Sequence, residues 1–316
     1  MNAELRIEPN DIMISVSSCS VCRAAAKLWH SINGYAILEC SNCRHRFVRG
    51  IRTAQHVEDN FDDAYFLRGG AGYPDYIADG DILYDRGCRY ARILARYMTP
   101  GRVLDVGAAG GFILRGLIDS GWLGRGIEPN RRMVEFGREH MGLEVDCGNL
   151  ENYRGSETFD LIAMLQSIMH FFDVRRACEV AARVTKPGGY WLIEAFNPHS
   201  WIGRLLGKHW HDYNPPTVLH WFSPLALRLL LQEYGLEQIA LGRAPKAVSA
   251  AHAKSVLRMK LGGGPLGRAM LPFLAMVPDR LRVPYPGDDI YWALYQKRAG
   301  SDGSAATGRP SLKTAP

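Results

Sequence analysis

Val103-Leu-Asp-Val-Gly-Ala-Ala-Gly-Gly-Phe112 decides the fold. Val103–Val106 is an apolar run of strand length, and it breaks into small residues from Gly107 to Gly111. Phe112–Ser120 then carries helical spacing and stops at Gly121. A strand that turns through small residues into a helix leaves backbone N–H groups facing whatever ligand sits there. Downstream, Gly124–Ile127 predicts a second strand, Arg131–His140 a helix, and Leu143–Val145 and Leu161–Leu165 the third and fourth strands. Arg175–Val184 predicts another helix, and Tyr190–Ala195 a fifth strand after the turn Lys186-Pro-Gly-Gly189. Strands alternating with helices are βαβ units, so the expected fold is α/β with a doubly wound, mostly parallel sheet.

Upstream, Ile82–Tyr97 reads as a helix ended by Pro100-Gly101. Beyond the fifth strand, Phe196–Phe222 is rich in aromatics, histidine and proline. A helix over Pro224–Tyr234 and strands at Leu236–Leu241 and Ile290–Gln296 follow, with helical pieces inserted between those strands. The expected organisation is a small metal module over residues 1–50, a helical linker or lid over 51–98 and the α/β domain over 99–297. That domain carries an inserted cap at about 243–289, and the polar tail 298–316 is expected to be disordered. With 316 residues, 47% of them hydrophobic and 22% charged, the chain is neither fibrous nor wholly disordered. A net charge of +6 permits an anionic substrate without demanding nucleic acid. No apolar run reaches membrane-spanning length and Met1–Asn10 does not read as a secretion signal, so the expectation is a soluble cytoplasmic protein.

Of seven cysteines, four fall in two tight pairs, Cys19-Ser-Val-Cys22 and Cys40-Ser-Asn-Cys43. A two-residue spacer turns both sulfurs of a pair toward one point, and two such knuckles complete a tetrahedron around Zn²⁺. Disulfides are disfavoured in a reducing compartment. Four sulfurs leave no vacancy for His30 or His45, which are expected at the surface. A module of this size has too small a core to fold alone, so the metal is expected to be structural. Short strands are expected at Tyr35–Leu38 and Arg46–Val48.

Chemistry is expected where the glycine turn meets the next strand. Glu128 closes the second strand in Gly126-Ile-Glu-Pro-Asn130, where a carboxylate can take both ribose hydroxyls of a nucleoside. Asp160 precedes the fourth strand.

With these residues in place, the chain resembles the Rossmann-like, class I S-adenosylmethionine-dependent methyltransferases that carry an amino-terminal zinc ribbon. The resemblance covers nearly the whole chain. It implies that the family's glycine-rich motif is Asp105–Gly111, with Asp105, Gly107, Ala109 and Gly111 at the cofactor, and that Glu128 is its ribose-binding acid. It further implies that Asn149 and Leu150 flank the adenine, that Gln166–Asp173 is the segment after the fourth strand, and that Tyr65 belongs to a region closing over the cofactor. His220-Trp-Phe-Ser-Pro224 falls where the family often has His followed by Phe-Ser. Ala109 replaces a frequent middle glycine, and Met169 replaces the Glu of a frequent Glu-His pair, leaving His170. A dinucleotide oxidoreductase is the rival for such a loop, but its third glycine should come three residues after the second, unlike Gly107-x-x-Gly110-Gly111.

Methyl transfer from a sulfonium mainly needs alignment of nucleophile, methyl carbon and sulfur. A base is needed when the acceptor must lose a proton, and His170 is the candidate, set against a purely packing role. His199, His209, His211 and His220, with Trp201, Trp210, Tyr213 and Trp221, suit a wall for a small organic acceptor. His209 and His211 hint at a second metal, with only Asp212 nearby in sequence, so packing is the expected role. The cationic and apolar segment Lys254–Arg282 suits a membrane surface or a phosphate-bearing acceptor, with a cap having solvated basic edges as the plainer reading. The expected activity is therefore methylation of oxygen or carbon on a small organic or saccharide-type acceptor. An RNA methyltransferase gripping its substrate through Arg23, Lys27, Arg44, Arg46 and Arg49 is the alternative, as is a non-catalytic binding module. The sequence carries no signal for oligomeric state.

Overall fold

The computed structural model describes residues 17–51, 53–67, 75–244, 247–261, 276–284 and 287–300. The cysteine knuckles lie at the turns β1–β2 and β3–β4 of the antiparallel strands β1 (Ser17–Ser18), β2 (Ala25–Ile32), β3 (Tyr35–Cys40) and β4 (Arg46–Val48). The sequence gives no strand signal over Ala25–Ile32, because only Ala26 of β2 is buried and its solvent-facing residues do not alternate. Helices α1 (Gln55–Asn60), α2 (Asp63–Leu67) and α3 (Gly80–Leu94) follow.

The α/β domain runs through β5 (Arg102–Val106), α4 (Phe112–Ile118), β6 (Leu123–Glu128), α5 (Arg131–Glu139), β7 (Val145–Cys147), β8 (Phe159–Leu165), α6 (Val174–Val184) and β9 (Thr185–Phe196). Next come α7 (Trp201–Leu206), β10 (His220–Trp221), α8 (Pro224–Gln232) and β11 (Leu236–Arg243). The inserted region contributes β12 (Ala247–Ser249), α9 (Ala250–Leu261) and β13 (Arg282–Pro284) before β14 (Ile290–Lys297). Residues 262–275 and 285–286 of the expected cap, 68–74 of the expected lid and 301–316 of the tail lie outside the described residues.

A seven-stranded sheet has the order β11-β14-β9-β8-β5-β6-β7, parallel except at β14, which is antiparallel to both neighbours. Its central strands are buried on both faces, which is why Leu161–Leu165 reads as an unbroken apolar run. One face packs Leu104, Ile162, Met164 and Ile193 against α6, α8 and the cysteine module; the other packs Val103, Leu161, Ala163 and Leu192 against α3 and α4. The fifth strand starts earlier than its apolar run suggests. Thr185 already pairs with Phe159, and Lys186-Pro-Gly-Gly189 lies within a register irregularity, not in a turn that precedes the strand.

Two further expectations are corrected. Asp160 lies inside β8, where it accepts from the Lys186 ammonium at 2.8 and 2.9 Å and from the Arg102 backbone N–H at 2.8 Å, so it ties strands together away from the ligand crevice. The cysteine module is not a separate sheet: β10, from the loop after β9, pairs with β4 as its fifth strand.

Candidate active site

The carboxyl ends of β5, β6, β8 and β9 open onto a cavity of about 230 Å³, the usual place for ligands in such sheets. Its floor is the turn after β5. Gly107 sits at φ +76°, and a Cβ there would lie 3.0 Å from the Cβ of Ser167. Ala109 is also left-handed, at φ 48°, a conformation that costs a residue with a Cβ roughly 1–2 kcal/mol. That backbone turns the Ala109 N–H onto Glu128, whose Oε2 accepts it at 2.9 Å while Oε1 accepts the Asn130 N–H at 2.9 Å. Glu128 and Asp105 are both buried, and burial pushes each carboxyl up to about 7; the charge of Glu128 adds to the rise at Asp105, while Arg86 opposes it. Burial likewise raises Glu151 to about 7, although the Phe172 N–H donates to it at 3.1 Å.

Tyr65, Asp105, Gly107, Ala109, Glu128, Asn149, Leu150, Gln166 and His170 all line this cavity. Gly111 does not: it caps α4 at φ 84°, where a Cβ would meet Leu143 Cδ1 at 2.2 Å, so its need for glycine comes from packing under the turn. Gln166 adopts φ 62° directly after β8, the kind of strain that collects at ligand sites. The Nε2 of Gln166 and the Oγ of Ser167 are buried without a protein hydrogen-bond partner. A polar ligand carrying both donors and acceptors fits a cradle of this composition.

The opposite wall holds His170, with Thr217 and Val218 from the loop after β9 and Phe61 from the segment between α1 and α2. His170 Nδ1 lies 2.8 Å from the Thr217 carbonyl oxygen. A carbonyl only accepts, so Nδ1 carries the proton and the neutral ring keeps its lone pair on Nε2. Burial lowers its pKa to about 4, opposed by the Thr217 carbonyl.

Sequence reasoning missed Arg86, Glu151, Ser167 and Asp289. Arg86 lines the cavity from α3 and pairs with the fully buried Glu194 of β9, which also accepts from the Tyr90 hydroxyl. The available signals were an arginine on the apolar face of Ile82–Leu94 and a glutamate within the apolar run Trp191–Phe196. Asp289 stands immediately before β14, and together with His211 and Asp212 it brings three ligand atoms within 4.8 Å of one another. Of the histidine pair at 209–211 only His211 joins this group, whose third member comes from a residue distant in sequence.

The four cysteines converge, their sulfurs within 4.8 Å of one another. Cys19–Cys43 and Cys22–Cys40 are 3.7 and 3.4 Å apart, close to the roughly 3.8 Å edge of a tetrahedron with 2.3 Å Zn–S bonds and far beyond a disulfide of about 2.0 Å. The site fits a four-thiolate ion. His45 is not at the surface. It is fully buried, with Nδ1 3.6 Å from Cys19 Sγ and its ring stacked on Phe222, Phe47 and His220 at 4.6, 5.3 and 5.3 Å. Of the expected basic patch, Lys254 is buried and pairs with the exposed Asp279 at 2.7 Å, and Arg282 pairs with Asp85 at 2.5 Å at the surface, so both cations are engaged within the chain. Among the described residues no helix is long and apolar enough to cross a membrane.

A family model described as a methyltransferase domain matches residues 82–241, half of the chain. The chain belongs to this family, the Rossmann-like, class I S-adenosylmethionine-dependent methyltransferases. The ubiquinone biosynthesis O-methyltransferase of Coxiella burnetii is 25% identical over 149 residues, which are 40% of this chain and 64% of that protein. The protein of the same name from Alkalilimnicola ehrlichii is 29% identical over 118 residues, 34% of this chain and 48% of that one. The chain thus spans less than two thirds of the length of these relatives. Among solved structures, the YcgJ protein of Bacillus subtilis superposes with a TM-score of 0.50 at 17% identity, covering 68% of this chain and 100% of its own. A Bacillus halodurans protein assigned as a methyltransferase gives 0.50 at 16% identity over 67% of this chain and 98% of its own. Both share the fold.

Proposed function

We propose that this chain moves the methyl group of S-adenosylmethionine to an oxygen or carbon of a small organic acceptor, saccharide-type acceptors included, with His170 taking the acceptor's proton. The observation that carries the reading is one cavity with the glycine turn and Glu128 on one side and a neutral His170 on the other. When bound, S-adenosylmethionine supplies an activated methyl carbon. The residues of this chain do the rest. Glu128 accepts the ribose hydroxyls, Asn149 and Leu150 flank the adenine, and the Asp105–Ala109 turn with Gln166 and Tyr65 encloses the remainder. His170 Nε2 is free of the proton that Nδ1 holds on Thr217, so it can accept one from a hydroxyl as the oxygen attacks. The names of the curated relatives favour oxygen as the methylated atom. Zn²⁺ in the Cys19, Cys22, Cys40 and Cys43 cluster is structural in this reading.

The test is a mass-shift screen of phenolic, saccharide and other hydroxylated acceptors with methyl-labelled donor. A labelled product is expected from wild type, and His170→Ala should lower kcat by about 10²–10⁴-fold while leaving donor affinity within a factor of about two. An unchanged kcat removes the base role. A chain that binds no donor by calorimetry removes the enzymatic reading altogether.

A further inference from the structure

The loop after β9 and the residue before β14 are distant in sequence, yet the antiparallel register Ile290↔Phe196 brings them to one place. Asp289 is thereby set at the carboxyl end of β9, its carbonyl accepting the Asn197 N–H at 2.7 Å. Its side chain is fully buried, and the Trp210 indole N–H fixes Oδ2 at 2.7 Å. His211 Nε2 lies 3.3 Å from Asp212 Oδ2, and the ligand atoms of His211, Asp212 and Asp289 all fall within 4.8 Å of one another. His211 and Asp212 also line the cavity that holds Glu128 and His170.

Two carboxyl groups and an imidazole gathered this closely present oxygen and nitrogen donors that a single cation can share. An octahedral ion with bonds of about 2.1 Å holds its ligand atoms roughly 3–4 Å apart, so small side-chain rotations close the present spacing. One imidazole and two carboxylates are a ligand set for a hard divalent ion.

We propose that His211, Asp212 and Asp289 form a divalent-cation site on the acceptor wall of the cavity, and that the acceptor offers two neighbouring oxygens to that cation. The inference rests on the methyl-transfer reading for its substrate class, though not for the cation site itself. A cation there lowers the pKa of a bound hydroxyl. In the transfer, the hydroxyl proton leaves to His170 Nε2 and the oxygen lone pair forms the O–CH₃ bond. The C–S bond breaks with its electron pair remaining on sulfur, which departs as a neutral thioether. A substrate with a single isolated hydroxyl fills one coordination position, whereas a vicinal diol or hydroxycarbonyl fills two.

The experiment titrates Mn²⁺ into the full chain with its cysteine cluster loaded with Zn²⁺, and follows free Mn²⁺ by electron paramagnetic resonance with no methyl donor present. Saturable uptake of a single Mn²⁺ per chain is expected, displaced by Mg²⁺ and weakened about tenfold or more in His211→Ala and in Asp289→Asn. Asp289 is buried and its variant can misfold; His211 is partly exposed, so its variant decides the question by itself. Unaltered free Mn²⁺ up to about 1 mM, or equal uptake by wild type and His211→Ala, overturns the site. The latter result would leave His211 and Asp212 as a side-chain contact internal to the protein. Donor binding, measured separately by calorimetry without Mn²⁺, keeps the two readings distinguishable: loss of donor binding alone sinks methyl transfer, and loss of Mn²⁺ uptake alone sinks the cation site.

Discussion

The Glu128 carboxyl is buried, and the two backbone N–H groups that point at it at 2.9 Å offset only part of the cost of burying its charge. Burial raises it to about 7 from an ordinary 4.5. A ribose hydroxyl donates best to the ionised form, and below the raised pKa the protonated carboxyl must first lose its proton at a cost in binding. Donor affinity should therefore climb from about pH 6 to about pH 8 and then level off. Calorimetry across that range checks it, and Glu128→Gln should bind with a flatter profile. Glu128→Ala should weaken donor binding by about 1–3 kcal/mol through lost charge-assisted hydrogen bonds, and an unchanged affinity would displace the ribose from this residue. The neighbouring turn tests backbone geometry instead. Gly107 at φ +76° has Ser167 Cβ 3.0 Å from where a Cβ would stand. Gly107→Ala should cost about 1–2 kcal/mol in urea unfolding and weaken donor binding as the floor shifts. Ala109 shows that the turn accepts a methyl at φ 48° two residues on.

At the scale of elements, α3 is held against β9 by a charge and not by shape alone. Arg86 and the Tyr90 hydroxyl both reach Glu194, which is fully buried. Removing one member of such a group leaves an uncompensated buried charge, so Glu194→Ala should destabilise the fold by about 3–5 kcal/mol, read from chemical denaturation. Glu194→Gln should cost less, since the amide oxygen still accepts one hydrogen bond. This pairing also marks where the sequence stops being legible. The Val103–Phe112 turn, the alternation of strands and helices, and the cavity positions of Glu128 and His170 follow from periodicity and local spacing, because each depends on residues within one βαβ unit. Arg86–Glu194 and His211–Asp212–Asp289 depend on pairings across more than seventy residues, set by sheet order. Local patterns do not encode that order. β2 escaped for a different reason: a strand whose solvent-facing residues outnumber its buried ones has no hydrophobic period to read.

Across the whole molecule, the cysteine module and the His170 wall of the cavity are one mechanical unit. β4 pairs with β10, the Val48 N–H donates to the Leu219 carbonyl at 2.9 Å, and the Leu219 N–H donates in turn to Met169 at 2.9 Å. His220 Nε2 lies 3.0 Å from the Phe171 carbonyl oxygen, and His45 stacks between this group and Cys19. On the other flank, Arg175 on α6 donates to the Val21 carbonyl at 2.7 Å, and the Arg46 guanidinium lies 3.9 Å over the Trp29 ring. The segment carrying His170 is thus braced by the module in which the four cysteines converge. The Glu128 side of the cavity rests on β5 and β6, which make none of these contacts. Cys43→Ser should therefore act unequally on the two sides. Amide hydrogen exchange should quicken at Val48, Leu219 and His170, and kcat should fall by about tenfold or more as His170, the proposed base, loses its position. Donor affinity should stay within a factor of about two, because Glu128 and the glycine turn belong to the other half of the sheet. Exchange confined to residues 19–43, with kcat intact, would show that the module stabilises only itself. Equal losses of kcat and donor binding would mean that the sheet, and not the β4–β10 seam, carries the effect.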